Sequence, residues 1–212
     1  MNRSDSSLPW GSHPVDASIT VAMLSDSCDR AGLRSQVLET RLAPLVPLSR
    51  VSGRARTAQF VPDSDVDPER PYDDAIDFID STSPGELICI ATDDSNASAF
   101  WGELFSAAAR GRKAVGMLTD GNIRDSDKIE ALGFSVFSRG RRPIDFRGRM
   151  KLASHQSAVV IGGVEICPGD LVAADDDGVV VIPQAHESEI IALARERASG
   201  EVLILPPDTF VD

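Results

Sequence analysis

The chain has 212 residues, of which 42% are hydrophobic and 25% are charged, and its formal net charge is −12. This length and composition are typical of one soluble globular domain, and the negative charge excludes a nucleic-acid binder that works through a basic face. No stretch approaches the roughly 20 continuous apolar residues of a membrane-spanning helix, so we expect neither nucleic acid nor membrane as a partner.

Three cysteines, Cys28, Cys89 and Cys167, stand at wide spacings without a CxxC motif. An odd number in this arrangement predicts neither a disulfide framework nor a structural zinc site, and core packing is the simplest role of these thiols. The cysteine pattern therefore predicts a reducing, cytoplasmic setting.

The chain is predicted to contain one domain between two terminal segments. Residues 1–15 carry Ser, Pro and Gly without an apolar run, which predicts a flexible tail that is neither a signal peptide nor a membrane anchor. Residues 16–200 form the single α/β domain. Residues 201–212 form a C-terminal extension, and its apolar part at 202–205 is predicted to be extended, with a surface for packing on a neighbouring subunit.

The first part of the domain is predicted to contain two helices and a strand. Asp16 or Ser18 can cap a helix that Gly32 ends. The partly alternating pattern of residues 45–61 predicts a half-exposed strand whose arginines face solvent. Apolar residues then recur at helical spacing over 72–79.

Two short apolar runs, 86–92 and 113–119, are typical of strands buried on both faces. A helix over 99–110 connects them, and this order predicts a right-handed parallel crossover with ligands at the carboxyl ends of the strands. The polar segments 93–96 and 120–122 follow those two ends.

The last third of the domain changes to short strands. Residues 134–138 are predicted to form a strand, and residues 139–149 a connection that contains five arginines. For these arginines a solvated loop, or a lip that attracts polyanionic substrates, is favoured over a nucleic-acid site. Four further runs predict antiparallel hairpins, and 184–198 predicts a terminal amphipathic helix. The four runs are 158–161, 164–166, 171–174 and 179–182.

The adjacent residues Arg124 and Asp125 are the most informative feature of the chain. They follow the 113–119 strand after a glycine-containing turn, and a helix is predicted to begin at Ser126 and end at Leu132. An arginine fork matches a carboxylate or keto-acid oxygen, whereas a carboxylate binds a hard divalent cation. The pair therefore indicates an anionic substrate beside a metal ion, with a surface ion pair or a helix cap by Asp125 as the simpler alternatives.

A second group of candidate residues lies near the start of the 99–110 helix. Twenty residues separate Glu103 from Arg124. The free N–H groups of a helix start, with the positive end of the dipole, bind carboxylates or phosphates, and Gly102 lets an anion approach the backbone. Residues 102–105 are therefore predicted to hold a carboxylate or phosphate group.

Four segments of the chain resemble the RraA-like (regulator of ribonuclease activity A) superfamily, which includes the 4-hydroxy-4-methyl-2-oxoglutarate / 4-carboxy-4-hydroxy-2-oxoadipate aldolases. These segments keep the family's order and spacing, and they are 101–105, 119–125, 131–137 and 168–183. The resemblance implies an α/β fold, a layered α-β-β-α sandwich of the swivelling-domain type with mixed sheets. It also implies homotrimers or homohexamers with sites between subunits.

The aldolase branch of this family implies a class II pyruvate aldolase that uses Mg²⁺ or Mn²⁺. Its substrate would be a 4-hydroxy-2-oxo diacid, cleaved to pyruvate and a second carbonyl product, with oxaloacetate decarboxylation as a side activity. By position, Asp125 would bind the metal, Arg124 the keto-acid end and the backbone of 102–105 the carboxylate. The implied site residues are Gly102, Glu103, Leu104, Phe105, Arg124 and Asp125.

The chain departs from the aldolases at Glu103, which stands where they have aspartate and would hydrogen-bond a metal-bound water. The family also draws an acidic residue from a neighbouring subunit, for which Glu196 and Glu201 are the candidates. Some members of the family inhibit ribonucleases without catalysis. The alternative function is therefore a non-catalytic protein that binds and regulates a partner.

Overall fold

The computed structural model of the chain describes residues 15–63, 70 and 72–204, the last four by their backbone alone. It has an α/β fold with mixed sheets, as predicted. The first fourteen residues and residues 205–212 lie outside the described residues, and so does the side chain of Glu201. Of the predicted N-terminal tail, Val15 is described, and it is buried.

The described strands form one nine-stranded sheet and a separate hairpin. In the large sheet the order is β1-β6-β5-β3-β2-β10-β11, with β4 beside β5 and β7 beside β2. Strands β2 to β6 pair in parallel, whereas β1, β7, β10 and β11 pair antiparallel to their neighbours. The strands are β1 (Ala43–Pro44), β2 (Val51–Pro62), β3 (Glu86–Ala91), β4 (Ala99–Trp101), β5 (Gly116–Ile123), β6 (Ser135–Arg141), β7 (Met150–His155), β8 (Val159–Ile161), β9 (Val164–Ile166), β10 (Leu171–Asp175) and β11 (Gly178–Ile182).

Helices cover the sheet from two sides. Helices α2, α3 and α4 contribute to one hydrophobic cluster, and α1 and α5 contribute to another. No helix of the described residues is long and apolar enough to span a membrane. The helices are α1 (Val21–Arg30), α2 (Asp73–Asp80), α3 (Glu103–Gly111), α4 (Ser126–Leu132) and α5 (Glu187–Ile204), the last preceded by a 3₁₀ turn at Gln184–His186.

The layers follow from the alternation of apolar side chains along the strands. On β3, Ile88 packs in the cluster of α2 to α4, whereas Leu87 and Cys89 point into a second cluster inside the curled sheet. On β10, Val172 belongs to this same inner cluster, and Ala173 packs with α1 and α5. The inner cluster lies between two parts of the same sheet, and helices cover the outer face of each part. The layers are therefore helix, sheet, sheet, helix, which confirms the predicted sandwich.

The N-terminal helix begins later than predicted. Thr20 caps α1, and its hydroxyl accepts a hydrogen bond from the amide of Met23 at 3.2 Å. Asp16 is instead paired with Arg195 of α5 at 2.8 Å. The predicted cap by Asp16 or Ser18 is therefore wrong, because a residue in extended conformation immediately before the helix is needed for this bond.

Strand β2 is buried rather than half-exposed. It lies in the middle of the sheet between β3 and β10, with packed layers on both faces. Arg56 is only 5% exposed, and its guanidinium donates to the Phe78 carbonyl at 2.9 Å and pairs with Glu86 at 3.3 Å. Since these partners satisfy the buried charge, the expectation that the arginines of this strand all face solvent is wrong.

The glycine of the segment 120–122 lies in a strand, not in a turn. Strand β5 continues to Ile123, and residues 99–101 form β4 beside it, so the predicted helix over 99–110 begins only at Glu103. A Cβ on Gly121 would lie 2.6 Å from the Phe100 ring. Only a residue without a side chain fits where these two strands meet.

This close approach predicts a stability change. Gly121→Ala is expected to lower the free energy of unfolding by about 1–3 kcal/mol, because the added methyl overpacks a fully buried site. The matched control is Gly111→Ala in α3, where an added Cβ has no neighbour within 4 Å. Denaturant unfolding of both variants measures the difference, and equal stability of the two would contradict the packing argument.

Two further segments differ from their predictions. Residues 139–141 belong to β6, and Met150–His155 forms β7 along β2, so the arginine-rich connection is shorter than expected. Helix α5 runs to Ile204, so the prediction of an extended chain at 202–205 is wrong up to that residue.

Candidate active site

Arg124 and Asp125 join the end of β5 to α4, as predicted. The amide of Arg124 donates to the carbonyl of Trp101 at 2.9 Å, which ties the pair to the residue before the α3 N-cap. Asp125 has φ of 55° and ψ of 40°, a left-handed conformation that few non-glycine residues adopt. It stands at the N-cap position of α4, but its carboxylate makes no capping hydrogen bond. The simpler interpretation of Asp125 as a helix cap is therefore wrong for its side chain.

The carboxylate of Asp125 faces the start of α3 instead. Its Oδ2 lies 3.4 Å from the amide nitrogen of Glu103, and a Cβ on Gly102 would approach Oδ2 to 2.7 Å. Glycine at this position thus makes room for the carboxylate. The structure brings together Gly102 and the Arg124-Asp125 pair, which are far apart in sequence.

Gly102→Ala is therefore expected to disturb the site without unfolding the protein. The added methyl has to displace the Asp125 carboxylate or the Arg124 side chain, whose Cγ would be 3.2 Å away. A displacement of this size lowers kcat/KM by about 100-fold in a site that depends on geometry. Steady-state kinetics with Gly111→Ala, at the other end of α3, as the control checks this prediction. Wild-type kinetics of Gly102→Ala would refute it.

The first turn of α3 presents backbone amides to the same place. The first helical hydrogen bond is donated by the amide of Ser106 to the Gly102 carbonyl at 3.0 Å. The amides of Glu103, Leu104 and Phe105 precede that bond and have no acceptor within the helix. Gly102 has no side chain to cap them, so they form the anion-binding end of the helix dipole.

The hydroxyl of Ser106 fixes this helix start. It accepts a hydrogen bond from Nε1 of the buried Trp101 at 2.6 Å and donates to the Gly102 carbonyl at 2.9 Å. Because both partners belong to the segment that leads into α3, the amides are held in place before a ligand binds.

Arg124 has a partner that the sequence pattern did not indicate. Its Nη1 lies 3.2 Å from Oδ2 of Asp145, which also accepts a hydrogen bond from the Tyr72 hydroxyl at 2.6 Å. The amide of Arg147 donates to Oδ1 of the same carboxylate at 3.2 Å. Asp145 therefore orients the guanidinium of Arg124. The only signal for it in the sequence is that it is the one acidic residue between Arg139 and Arg149.

The surroundings of Asp145 change its acidity. Burial by itself raises the pKa of this carboxyl, but the hydrogen bonds from Tyr72 and Arg147 and the charge of Arg124 outweigh burial, so that its pKa lies below the usual 3.8. Burial and the bond to Asp145 raise the pKa of Tyr72. Asp145 is therefore ionised, and Tyr72 protonated, at neutral pH.

This shift predicts how stability depends on pH. Because the pKa of Asp145 is lower in the folded protein than in the unfolded chain, its stabilising contribution is present above the unfolded value of 3.8 and is lost as pH falls through the folded value. Wild-type protein is thus expected to lose Tm more steeply below about pH 4 than Asp145→Asn. Thermal melts of the two proteins from pH 2 to pH 7 test this, and parallel curves of Tm against pH would contradict it.

Hydrogen bonds join the polar residues that follow β3 to those near the end of β5. Oδ1 of Asp120 accepts hydrogen bonds from the amide and hydroxyl of Thr92 at 2.7 and 2.8 Å, and its Oδ2 accepts from the amide of Asp94 at 3.1 Å. Asn122 donates to the side chain of Asn96 at 3.0 Å. The two ends meet at one edge of the sheet, as predicted, but Asp120 is buried there and holds the 93–96 segment in place.

Two clefts meet at the Arg124-Asp125 pair. The first has a volume of about 300 Å³ and contains all the predicted site residues except Glu103, whose amide faces Asp125. Its other walls are mainly apolar and aromatic. The second, of about 340 Å³, lies on the side of Arg141 and Arg142. The cleft that holds the predicted site residues is lined by Tyr72, Ile76, Ala99, Phe100, Trp101, Gly102, Leu104, Phe105, Ala108, Arg124, Asp125, Asp145 and Phe146.

The donor set suits a hard cation that keeps most of its waters. The side chain of Asp125 is 44% exposed, and the carboxylate of Glu103 has no hydrogen bond or ion pair with any described residue. Within the described ranges there is no group of three or more His, Cys, Asp or Glu side chains that could hold a metal. Mg²⁺ is commonly bound by one or two carboxylates together with water and substrate oxygens, so the partly exposed carboxylate of Asp125 fits this ion.

Glu196 and Glu201 are the two candidates for an acid from a neighbouring subunit. Glu196 lies on α5 and pairs with Arg30 of α1 at 3.2 Å, in a separate cleft between these two helices. The side chain of Glu201 lies outside the described residues. The acid from a neighbouring subunit stays a prediction.

Comparison with known proteins places this geometry in a family. Protein DlpA of Legionella pneumophila is 29% identical over 170 residues, which are 80% of this chain, and the chain spans 27% of the length of DlpA. A Halalkalibacterium halodurans protein named "Putative 4-hydroxy-4-methyl-2-oxoglutarate aldolase" is 29% identical over 183 residues, which cover 86% of this chain and 81% of that protein.

Solved structures and a family model agree with these relatives. The crystal structure of Streptomyces coelicolor RraAS2, described as an unusual member of the RNase ES inhibitor RraA protein family, matches with a TM-score of 0.77 and 26% identity. The match covers 88% of this chain and 91% of that one. A family model described as "RraA-like: Aldolase/RraA" matches residues 21–181. The chain therefore belongs to the RraA-like family.

Proposed function

We propose that this protein is a divalent-metal-dependent lyase, a class II aldolase that cleaves a 4-hydroxy-2-oxo diacid to pyruvate and a second carbonyl product. The observation that carries the proposal is the direction of the Asp125 carboxylate. A left-handed backbone turns it away from α4 and towards the amides of α3, beside Arg124. The similarity to a protein named as an aldolase supports the same reaction class.

Each residue of the site has a role in binding the keto-acid end of the substrate. The free amides of Leu104 and Phe105 bind its carboxylate, and Arg124, oriented by Asp145 at 3.2 Å, donates to its keto oxygen. Asp125 would hold Mg²⁺ or Mn²⁺, which when bound polarises the keto group as a Lewis acid. The aromatic walls of the cleft would lie against the reacting carbons.

The bond changes follow from this placement. A water that Glu103 would hydrogen-bond accepts the proton of the C4 hydroxyl. The C3–C4 bond then breaks, C4 becomes the carbonyl of the second product, and the electron pair forms the enolate of pyruvate. Arg124 stabilises the enolate oxygen, and a proton delivered to C3 completes pyruvate. Oxaloacetate that loses CO₂ gives the same enolate, so decarboxylation is the expected side activity.

An assay of the purified full chain tests this proposal. Pyruvate is measured with lactate dehydrogenase and NADH after addition of oxaloacetate or 4-hydroxy-4-methyl-2-oxoglutarate, with Mg²⁺ or Mn²⁺ and with EDTA. The expected result is pyruvate formation that needs the metal ion and that EDTA stops. No pyruvate from either substrate would overturn the proposal.

A second candidate function is a non-catalytic regulator that binds a partner such as a ribonuclease. The observation in its favour is the similarity to RraAS2, whose family is described by ribonuclease inhibition. Such a protein has no turnover and lowers the activity of its ribonuclease target. Ribonuclease assays with and without the chain, together with the pyruvate assay, separate the two functions.

The proposed enzyme works as an assembly and in the cytoplasm. We expect homotrimers or homohexamers whose sites lie between subunits, with Glu196 or Glu201 as the acid that a second copy contributes. Light scattering of the purified chain measures the mass of the assembly, and a monomer with full activity would contradict a shared site.

A further inference from the structure

The cleft that holds the predicted site residues carries its charge at one end only. Its charged lining residues form one group, because Arg124 lies 3.7 Å from the carboxylate of Asp125 and 3.2 Å from that of Asp145. The Tyr72 hydroxyl donates to Asp145 as well. The remainder of the cleft is an apolar groove. This apolar groove is formed by Ile76, Leu104, Phe105, Ala108 and the rings of Tyr72 and Phe146.

Helices α2 and α3 form the two sides of the apolar groove. Leu104 and Ala108 are four residues apart on α3 and therefore lie on one face of that helix. Tyr72, at the N-cap of α2, and Ile76 have the same spacing. The groove thus begins at the free amides of α3, beside Asp125, and extends along both helices away from the charged group.

Contacts between aromatic rings hold the walls of the groove in place. The ring of Phe146 packs edge-on against that of Tyr72, with centroids 5.4 Å apart, and lies 6.2 Å from that of Phe105. Phe105 in turn lies 5.7 Å from the buried ring of Trp101. Since these rings pack on one another, the groove is formed before a ligand binds, as is usual for small-molecule sites.

Two large apolar side chains of the groove are left in contact with water. Leu104 is 79% exposed and Ile76 is 44% exposed. A ligand that covers them gains free energy in proportion to the apolar area that it removes from water. The same cleft contains Arg124 and the amides proposed to bind the keto acid. The group that covers the groove is therefore expected to belong to the same substrate molecule.

The charge of α2 disfavours a carboxylate in this groove. The helix contains four aspartates and no basic residue. Asp73 and Asp80, three residues before and four after Ile76, pair with Arg70 and Arg112. None of the described residues that form the groove is cationic. A carboxylate there would lose its water without a partner and would meet the negative field of α2. The groove therefore suits an uncharged, apolar group.

We propose that the apolar groove binds an apolar substituent on C4 of the substrate and extends the reaction to 4-hydroxy-2-oxo acids that carry an aromatic ring on C4. This activity rests on the proposed function for the keto-acid end. With 4-hydroxy-2-oxo-4-phenylbutanoate, the C4 hydroxyl loses its proton and the C3–C4 bond breaks. C4 becomes the carbonyl of benzaldehyde, and the electron pair forms the pyruvate enolate, which is protonated at C3. The rings of Phe105 and Phe146 offer the edges and faces against which a phenyl group packs.

Two ligands that lack the C4 hydroxyl, and so cannot be cleaved, test the groove without turnover. 2-Oxo-4-phenylbutanoate carries a phenyl group on C4, and 2-oxobutanoate has a hydrogen in its place. Isothermal titration calorimetry of the full chain with Mg²⁺ is expected to give a Kd at least about 10-fold lower for the phenyl compound, because even one methylene in an apolar pocket is worth about 10-fold or more. Equal Kd values would overturn the proposal.

A variant that fills the groove assigns this preference to it. Ala108→Leu places a larger side chain on the α3 wall and is expected to raise the Kd of 2-oxo-4-phenylbutanoate by about 10-fold relative to that of 2-oxobutanoate. Ala107→Leu, the preceding residue of α3, is the matched control, since Ala107 is also exposed but does not line the cleft. Leucine is a good helix former, so both variants are expected to fold.

Two results with these variants would overturn the assignment. One is a ratio of the two Kd values in Ala108→Leu equal to that in Ala107→Leu. The other is a changed mass of the assembly in light scattering of Ala108→Leu with the wild-type ratio of Kd values, which would assign the groove to contact with a second copy of the chain.

Turnover of 4-hydroxy-2-oxo-4-phenylbutanoate is the second measurement. Pyruvate and benzaldehyde are expected in equal amounts, the first measured with lactate dehydrogenase and the second by chromatography. Pyruvate from oxaloacetate without benzaldehyde from the phenyl substrate would refute the added activity and keep the lyase. A preference for the phenyl ligand in binding, without pyruvate from any substrate, would refute the lyase and keep the apolar groove as a binding site. Neither binding preference nor pyruvate would refute both.

Discussion

Replacement of Arg124 by alanine is expected to lower kcat/KM for oxaloacetate and for the hydroxy-oxo diacid by about 100- to 1000-fold, the usual loss when a donor to a developing oxyanion is removed. The guanidinium is the one cationic group common to both clefts, and Asp145 orients it at 3.2 Å. Its loss therefore weakens both substrate binding and stabilisation of the enolate.

A lysine at the same position separates charge from geometry. Arg124→Lys keeps a positive charge but cannot place two N–H groups on one substrate, so we expect it to recover only a small part of the activity. Arg112→Ala, at the end of α3 and paired with Asp80 at 3.1 Å, is the control for loss of a surface ion pair. Pyruvate formation by Arg124→Ala at the rate of this control would refute the catalytic role.

Replacement of Asp125 by asparagine is expected to abolish metal-dependent turnover, with at least a 100-fold fall in kcat in line with the loss of a central electrostatic group. Asparagine has the same shape and tolerates the left-handed backbone at φ 55°, so the fold is expected to stay intact. It lacks the negative charge that a hard cation requires. Titration of Mn²⁺ followed by electron paramagnetic resonance should show weaker metal binding in parallel with the loss of activity.

The control for this change is Asp127→Asn, two residues along the chain. Asp127 lies in the first turn of α4, is exposed and lines neither cleft. Its replacement by asparagine therefore removes the same charge near the start of the same helix without changing the site. Full activity is expected for it. Metal affinity of Asp125→Asn equal to that of Asp127→Asn would show that Asp125 is not a metal ligand, and the proposed mechanism would fail at that step.

Local patterns predicted the regular parts of the fold. The helix expected at Ser126–Leu132 is observed with the same bounds, and the apolar run at 86–92 forms the buried β3. The short runs near the end pair as antiparallel hairpins. These elements depend on periodicity and on nearby turn residues, which a sequence contains. Strand β7 was missed because only Met150 and Leu152 alternate with polar neighbours, and its stability comes from pairing with β2.

The candidate site was predicted in its residues but not in its geometry. The resemblance to the family supplied the six positions, and the structure places five of them around one cleft. The resemblance did not supply Asp145, which pairs with Arg124. Arg124 follows β5, whereas Asp145 lies after β6 and before β7. Such a contact has no local pattern, since the two residues meet only when the sheet is complete.

The sequence by itself determined the family, the order of the elements and the adjacent cation and anion at residues 124 and 125, because motifs and periodicity are properties of neighbouring residues. The tertiary structure decided what that pair faces. The left-handed turn at Asp125 and the space left by Gly102 direct the carboxylate to α3, and the pairing of β5 with β6 sets Arg141 and Arg142 beside Arg124. These relations depend on distances between segments remote in sequence, which only the folded chain fixes.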